Sequence, residues 1–121
     1  MSPKTVLITG CSDDGIGSAL AQTFHSRGYH VFATARDLDK MTWLQGLDNV
    51  TPIVLDVTKS TDIKNAADFV TKATSGKLDY LVNNAARNHF MPVLDVHIDA
   101  VRELFETNYI APLAITKVRS T

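Results

Sequence analysis

The sequence contains little of several features that mark particular classes of protein. Its 121 residues include one cysteine, Cys11, so an internal disulfide is impossible and a disulfide-stapled secreted scaffold is excluded. No apolar run approaches the roughly 20 residues of a membrane-spanning helix, and the first residues lead into a strand-like segment rather than a signal peptide. We therefore expect a soluble, cytoplasmic chain in which Cys11 is a small loop or core residue.

An excess of either charge is also lacking. The chain has 12 Lys and Arg residues and 13 Asp and Glu residues, and no basic run marks a nucleic-acid surface. The four histidines do not form a Cys–His ligand set, because the chain has a single cysteine that lies far from most of them in the sequence. We therefore expect no nucleic-acid partner and no metal site, and a single domain over residues 1–121.

Strand-like and helix-like segments alternate along the chain, a rhythm that is typical of βαβ units. Apolar strands separated by amphipathic helices predict an α/β fold whose parallel sheet is covered on both faces, with right-handed crossovers. The predicted strands are residues 6–9, 31–35, 53–55 and 80–82.

Helical periodicity assigns a buried face to each predicted helix. Ser60 is a candidate N-cap for the helix before the fourth strand. In the last helix, roughly 99–117, Val101, Leu104, Phe105 and Asn108 share one face. The first helix is expected to pack through Ile16, Ala19, Leu20, Thr23 and Phe24.

A glycine-rich turn joins the first strand to the first helix. Glycine permits positive φ and close backbone approach, while the start of a helix directs N–H groups and a positive dipole at one spot. Such a turn is typical of a cradle for a dinucleotide pyrophosphate, although the pattern alone also allows an ordinary strand-to-helix turn. The residues concerned are Gly10, Ser12, Gly15, Ile16 and Gly17.

The second predicted strand ends at Ala35 and Arg36, about 20 residues after the turn, where an NAD site carries an acid for the ribose 2′-hydroxyl. This chain has no acid there. Ala35 leaves room for a 2′-phosphate and Arg36 can bind it, so NADP(H) is the predicted cofactor. The alternatives are that Arg36 is a solvated charge, and that Asp37 and Asp39 weaken the preference.

Asn108 places an amide on an otherwise apolar helical face, which predicts a buried group with a polar task. Pro112 has no N–H to donate to the Asn108 carbonyl, which leaves that carbonyl available for another donor. The alternative is an asparagine that packs beside a proline kink.

Residues 9–17, 56–57, 83–86 and Asn108 occur in the order and spacing of the short-chain dehydrogenase/reductase family, which this chain resembles. Within this family, the sequence looks most like the fungal NADPH-dependent 1-acyldihydroxyacetone-phosphate reductases. Two departures lie beside the cofactor region: four residues rather than three separate Gly10 from Gly15, and Ala86 replaces the usual glycine.

The resemblance implies a Rossmann-type three-layer α/β/α fold with about four strands in the order 3-2-1-4. It implies that Asp56 accepts from the adenine amino group, that Val57 packs beside the ring, and that Asn83 and Ala85 border the ribose and dinucleotide. An Asx turn at Asp56 and a purely structural Asn83 are alternatives. Asn108 matches a tetrad member whose carbonyl holds a water in a proton relay to the catalytic lysine.

The same family requires a tyrosine with a lysine four residues later, which lowers the pKa of the phenol. No such pair exists here, and the family serine follows a further strand that these residues do not reach. Tyr29, Tyr80 and Tyr109 are followed four residues later by Ala33, Asn84 and Leu113.

We therefore expect the N-terminal, NADP(H)-binding part of an oxidoreductase that cannot catalyse alone. The alternatives are a nucleotide-binding or interaction module, and a fragment of a longer active reductase. The exposed edge of strand four and the last helix predict a homo-oligomer or a partner chain. Resemblance further suggests a lipid-like acyl ketone substrate and allows an endoplasmic-reticulum or lipid-droplet location.

Overall fold

Four parallel strands form one sheet in the order β3-β2-β1-β4, which confirms the predicted 3-2-1-4 order. A computed structural model describes residues 3–86, 97–110 and 113–116 of the protein. The fourth strand has the predicted bounds, whereas the others differ at their ends because pairing with a neighbour, and not apolarity, defines a strand. The strands are β1 (Thr5–Ile8), β2 (His30–Ala35), β3 (Val50–Val54) and β4 (Tyr80–Val82).

Helices connect the strands, as predicted, but the last helical segment is divided. The regular helices are α1 (Ile16–Ser26), α2 (Ser60–Thr74) and α3 (Ile98–Phe105), and a 3₁₀ turn spans Leu38–Lys40. A π-helical turn, Glu106–Ile110, follows α3, and residues 113–116 are again helical. The predicted N-cap is wrong by one residue: Lys59 precedes α2, and Ser60 is already helical.

Side chains of β1, one of the two inner strands, alternate between two cores, which places helices on both faces of the sheet. Val6 and Ile8 lie in one core with Ala21 of α1. Leu7 points to the opposite face, where it packs with Phe32 and with Val70 of α2. The three-layer α/β/α arrangement follows from this alternation. Among the described helices, none combines the length and apolarity needed to cross a membrane.

The predicted inward faces of α1 and α3 are only partly correct. In α1, Leu20 and Phe24 pack against the core as predicted, but Ile16 is 74% exposed. The fully buried residues of α1 are the small ones, Gly17, Ser18 and Ala21, which let the helix lie close to the sheet. In α3, Val101 and Phe105 are 40% and 54% exposed.

Candidate functional site

A cleft of about 520 Å³ lies at the carboxyl edge of the sheet, within the size range of small-molecule sites. Parallel strands bring their carboxyl ends to one edge, so segments distant in sequence meet there. Eight of the predicted cofactor-binding residues line this cleft: Gly10, Ser12, Gly15, Ile16, Arg36, Asp56, Val57 and Ala85.

Glycines in the turn allow contacts that a side chain would prevent. Gly10 has φ of +73°, and a Cβ there would lie 2.8 Å from the Cα of Ala85. A Cβ on Gly17 would lie 2.2 Å from the Gly10 carbonyl oxygen and 2.6 Å from the Asn84 side-chain nitrogen. Gly17 does not line the cleft, but its missing side chain brings α1 against the segments that do.

The N-terminus of α1 opens beside the cleft. Gly15 is its N-cap and makes no side-chain capping bond, and the first turn of α1 carries no acidic residue. Gly15 and Ile16 line the cleft, so the positive end of the helix dipole is presented to it. This arrangement suits an anionic group such as a pyrophosphate.

The ends of β1 and β4 are joined by a small hydrogen-bond network. The Thr9 hydroxyl accepts from the backbone N–H groups of Asn84 and Ala85, each at 3.0 Å. The Asn84 side chain donates to the carbonyl oxygens of Thr9 and Gly10 at 3.2 and 3.1 Å. These bonds hold the segment after β4 against the glycine turn.

Arg36 lies exposed at the end of β2, on the same cleft as Asp56. The Asp56 carboxylate accepts from the N–H and hydroxyl groups of Thr58 at 2.9 and 2.6 Å, so the Asx turn left open by the sequence is present. Partial burial acts to raise the pKa of Asp56, but the Thr58 bonds and the charges of Lys59 and Arg36 outweigh it, and the pKa lies below 3.8. Asp56 is therefore ionised at neutral pH.

Besides Gly17, two predicted residues do not line the cleft. The Asn83 side chain is exposed and donates to the Thr116 hydroxyl at 3.2 Å, which favours the structural alternative for it. Asn108 is exposed on the π-helical turn, so its predicted burial is wrong. The wider π-turn changes the helical phase, and Thr107 is buried instead. Pro112 lies outside the described residues.

Other residues that line the cleft were not predicted from the sequence. Thr58 follows Asp56 by two residues, as an Asx turn requires, and could have been found from that spacing. Glu103 and Thr107 line the cleft from the last helical segment, with the Thr107 hydroxyl donating to the Glu103 carbonyl at 3.1 Å. Their i,i+4 spacing was visible, but which face of α3 meets the cleft was not.

Cys11 is a core residue beneath the turn rather than a reactive thiol. Its backbone N–H donates to the Thr34 carbonyl at 2.8 Å, and its thiol donates to the Ile8 carbonyl at 3.3 Å. Burial raises the pKa of Cys11 to about 11, only partly opposed by a backbone hydrogen bond. Within residues 3–86, 97–110 and 113–116, no group of three or more His, Cys, Asp or Glu residues is placed to hold a metal ion.

The fold and this cleft agree with the sequence relationships of the chain. A family model described as short chain dehydrogenase matches residues 4–120. The chain belongs to the short-chain dehydrogenase family. It is 55% identical over 113 residues to the short-chain dehydrogenase ptmH of Penicillium ochrochloron, covering 93% of this chain and 42% of that protein.

A second relative agrees with the fungal resemblance found in the sequence. The chain is 39% identical over 119 residues to the NADPH-dependent 1-acyldihydroxyacetone phosphate reductase of Schizosaccharomyces pombe, covering 94% of this chain and 38% of the relative. The chain thus spans about two fifths of the length of these curated relatives.

Solved structures show the same architecture. An NADPH-bound carbonyl reductase from chicken fatty liver superposes with a TM-score of 0.88 at 30% identity, over 98% of this chain and 50% of the other. A short-chain dehydrogenase from Streptomyces avermitilis gives 0.87 at 33% identity, over 97% and 42%.

Proposed function

We propose that these residues bind NADP(H) in the cleft at the carboxyl edge of the sheet, as the cofactor half-site of an oxidoreductase. The observation that carries the proposal is the position of Arg36. Arg36 directly follows β2 and lines the same cleft as the glycine turn and the N-terminus of α1, and no acid replaces it there. An NADPH-dependent relative and an NADPH-bound structural neighbour support the same choice of cofactor.

Each wall of the cleft has a separate task in this proposal. The turn around Ser12 and Gly15, with the N-terminus of α1, binds the pyrophosphate. Arg36 binds the 2′-phosphate through charge-assisted hydrogen bonds. Asp56 and Val57 border the adenine, while Ala85 leaves space for the dinucleotide. Because the Asp56 side chain already accepts from Thr58, it offers its remaining acceptor capacity to the adenine amino group.

Bound NADPH supplies a hydride for a carbonyl carbon, and the protein must then supply a proton. None of the three tyrosines in these 121 residues has a lysine four positions later. We propose that these residues hold the cofactor without completing the transfer, and that Asn108 acts as a tetrad member only where a tyrosine–lysine pair is supplied. A reductase extending beyond these residues is one setting for such a half-site. A nucleotide-binding or interaction module is the other.

The substrate belongs to the part of the proposal that rests on relatives. The name of the Schizosaccharomyces pombe relative specifies a 1-acyldihydroxyacetone phosphate, which is a lipid-like ketone. We propose an acyl ketone of that kind as the substrate class of the whole protein. The cytoplasmic location stays a prediction.

Fluorescence titration with NADPH and NADH, together with thermal shift, tests the cofactor proposal. We expect saturable binding of NADPH, weaker binding of NADH, and no oxidation of NADPH when a model ketone is added. Failure to bind either cofactor contradicts the NADP(H) site. Turnover by these 121 residues contradicts the catalytic part of the proposal and leaves the binding part standing.

We also propose that a second copy of the chain covers the apolar face of α3. Ile98, Val101 and Phe105 follow the i, i+3, i+7 pattern of one helical face and are 62%, 40% and 54% exposed. Among the described strands β4 pairs with β1 alone, so its other edge is a second candidate contact.

A further inference from the structure

Asp13 ties the glycine turn to the segment that follows Arg36. Its carboxylate accepts hydrogen bonds from the backbone N–H groups of Thr42 and Trp43, each at 3.0 Å, and from the Thr42 hydroxyl at 2.5 Å. Its own backbone N–H donates to the Lys40 carbonyl at 2.7 Å. Four hydrogen bonds therefore connect one residue of the turn with residues about 30 positions later.

The two segments joined in this way form different walls of the cleft. Ser12 and Gly15, which precede and follow Asp13 in the turn, both line the cleft. Asp13 itself does not line it. Arg36 begins the other segment and is separated from the 3₁₀ turn Leu38–Lys40 only by its N-cap, Asp37. Asp13 is thus placed to fix the distance between the pyrophosphate side and the 2′-phosphate side without touching a ligand.

The hydrogen bonds of Asp13 come from within the longer spacing between Gly10 and Gly15. Asp13 is one of the four residues between these glycines, and the next residue, Asp14, has φ of +68°. A left-handed residue turns the chain sharply, so the extra length is taken up within the turn rather than passed into α1. The departure from the usual spacing therefore coincides with a cross-connection.

We infer that Asp13 is a positioning residue for cofactor selection: by holding the segment after β2 against the glycine turn, it keeps Arg36 where the 2′-phosphate of NADP(H) binds. This inference rests on the proposed NADP(H) site. It also predicts the direction in which NADPH affinity changes when Asp13 is removed. A carboxylate near a phosphate site weakens phosphate binding through charge alone, so removal of Asp13 would then tighten the complex. A positioning role predicts the opposite change.

The test compares Asp13→Asn with Asp14→Asn, which removes the same charge from the neighbouring residue. Asparagine tolerates positive φ, so the control keeps the backbone of the turn. Isothermal titration with NADPH and NADH gives both dissociation constants for each variant. For Asp13→Asn we expect NADPH binding to weaken roughly tenfold, the size of one charge-assisted hydrogen bond, with a much smaller change for NADH. For Asp14→Asn we expect no loss of NADPH affinity.

Thr42→Val gives a second test without any change of charge. It removes the hydroxyl that donates to Asp13 and should lower the NADPH preference in the same direction. If Asp13→Asn does not fold, as judged by circular dichroism, this variant decides the question. An unchanged ratio of NADPH to NADH affinity in a folded Asp13→Asn or Thr42→Val protein overturns the inference while the cofactor site stands. Absence of any binding by the unmodified chain overturns both.

Discussion

The Thr9 hydroxyl accepts two backbone hydrogen bonds, from Asn84 and Ala85, and so links the end of β1 to the segment that follows β4. Thr9 and Asn84 are 75 positions apart in the chain. A side chain that is only 1% exposed thereby sets the position of one wall of the cleft.

Replacement of Thr9 by valine should destabilise the fold. The change keeps the shape of the side chain but leaves the Ala85 N–H without this acceptor, a loss of about 1–3 kcal/mol. Thr34 is the matched control, since within the described part of the chain its buried hydroxyl has no hydrogen-bond partner. Thr34→Val should be neutral or slightly stabilising. Urea unfolding of both variants measures the difference, and equal losses would contradict the role given to Thr9.

Gly17→Ala should weaken both the fold and cofactor binding. The new Cβ would lie 2.2 Å from the Gly10 carbonyl oxygen, so α1 must move away from the turn, and such overpacking costs about 1–3 kcal/mol or more. Gly15→Ala is the control. Its Cβ would lie 3.2 Å from the Ser12 carbonyl oxygen, which a small shift of the turn can relieve, so the loss of stability should be smaller than for Gly17→Ala. Thermal unfolding separates the two variants, and similar melting temperatures would argue against close packing at Gly17.

Arg36→Ala should reduce NADPH affinity selectively. Loss of a charge-assisted contact with the 2′-phosphate is expected to weaken NADPH binding roughly 10- to 100-fold, with little change for NADH, which lacks that phosphate. Arg27→Ala removes an equal charge from the end of α1, away from the cleft, and controls for net charge. Parallel losses for both cofactors would indicate that Arg36 does not read the 2′-phosphate.

Acid should destabilise the protein partly through Asp56. Its pKa is lower in the folded protein than the ordinary 3.8, so the ionised form favours folding above that value, and this contribution is lost as pH falls through the folded pKa. In Asp56→Asn the fall in unfolding free energy between about pH 5 and pH 2 should be smaller. Asp68→Asn, on the exposed face of α2, controls for the loss of one carboxylate. Identical pH profiles for unmodified protein and Asp56→Asn would refute this assignment.

Self-association should depend on the exposed face of α3. Phe105→Ser is expected to shift the protein towards monomer in light scattering, because it removes a large apolar side chain from that face. Phe69→Ser is a suitable control, since Phe69 on α2 is 50% exposed, close to the 54% of Phe105. If the unmodified chain stays monomeric at high concentration while α3 is helical, the proposed self-association is contradicted.

The parts of the site that were predictable are those set by local backbone rules. Glycine at position 10 indicated a turn with positive φ, and the structure has φ of +73° there. The shared carboxyl edge of parallel strands indicated that Arg36 and Asp56 meet, and both line one cleft. Contacts across the chain were not predictable in this way. Periodicity identified α3 as amphipathic but could not say which face meets the cleft, and a π-turn changed the helical phase before Asn108. The Asp13 tie likewise joins segments whose distance only the fold determines.

The short β4 also has a dynamic consequence. It is three residues long and pairs with β1 through Tyr80, Leu81 and Val82. A local opening that releases β4 while β1, β2 and β3 stay paired would remove one wall of the cleft, and its population would set how often the site is incompetent to bind. A ligand that needs the complete cleft suppresses that opening. Addition of NADPH should therefore slow hydrogen exchange at the amides of Leu81 and Val82 more than at the amides of β1, β2 and β3.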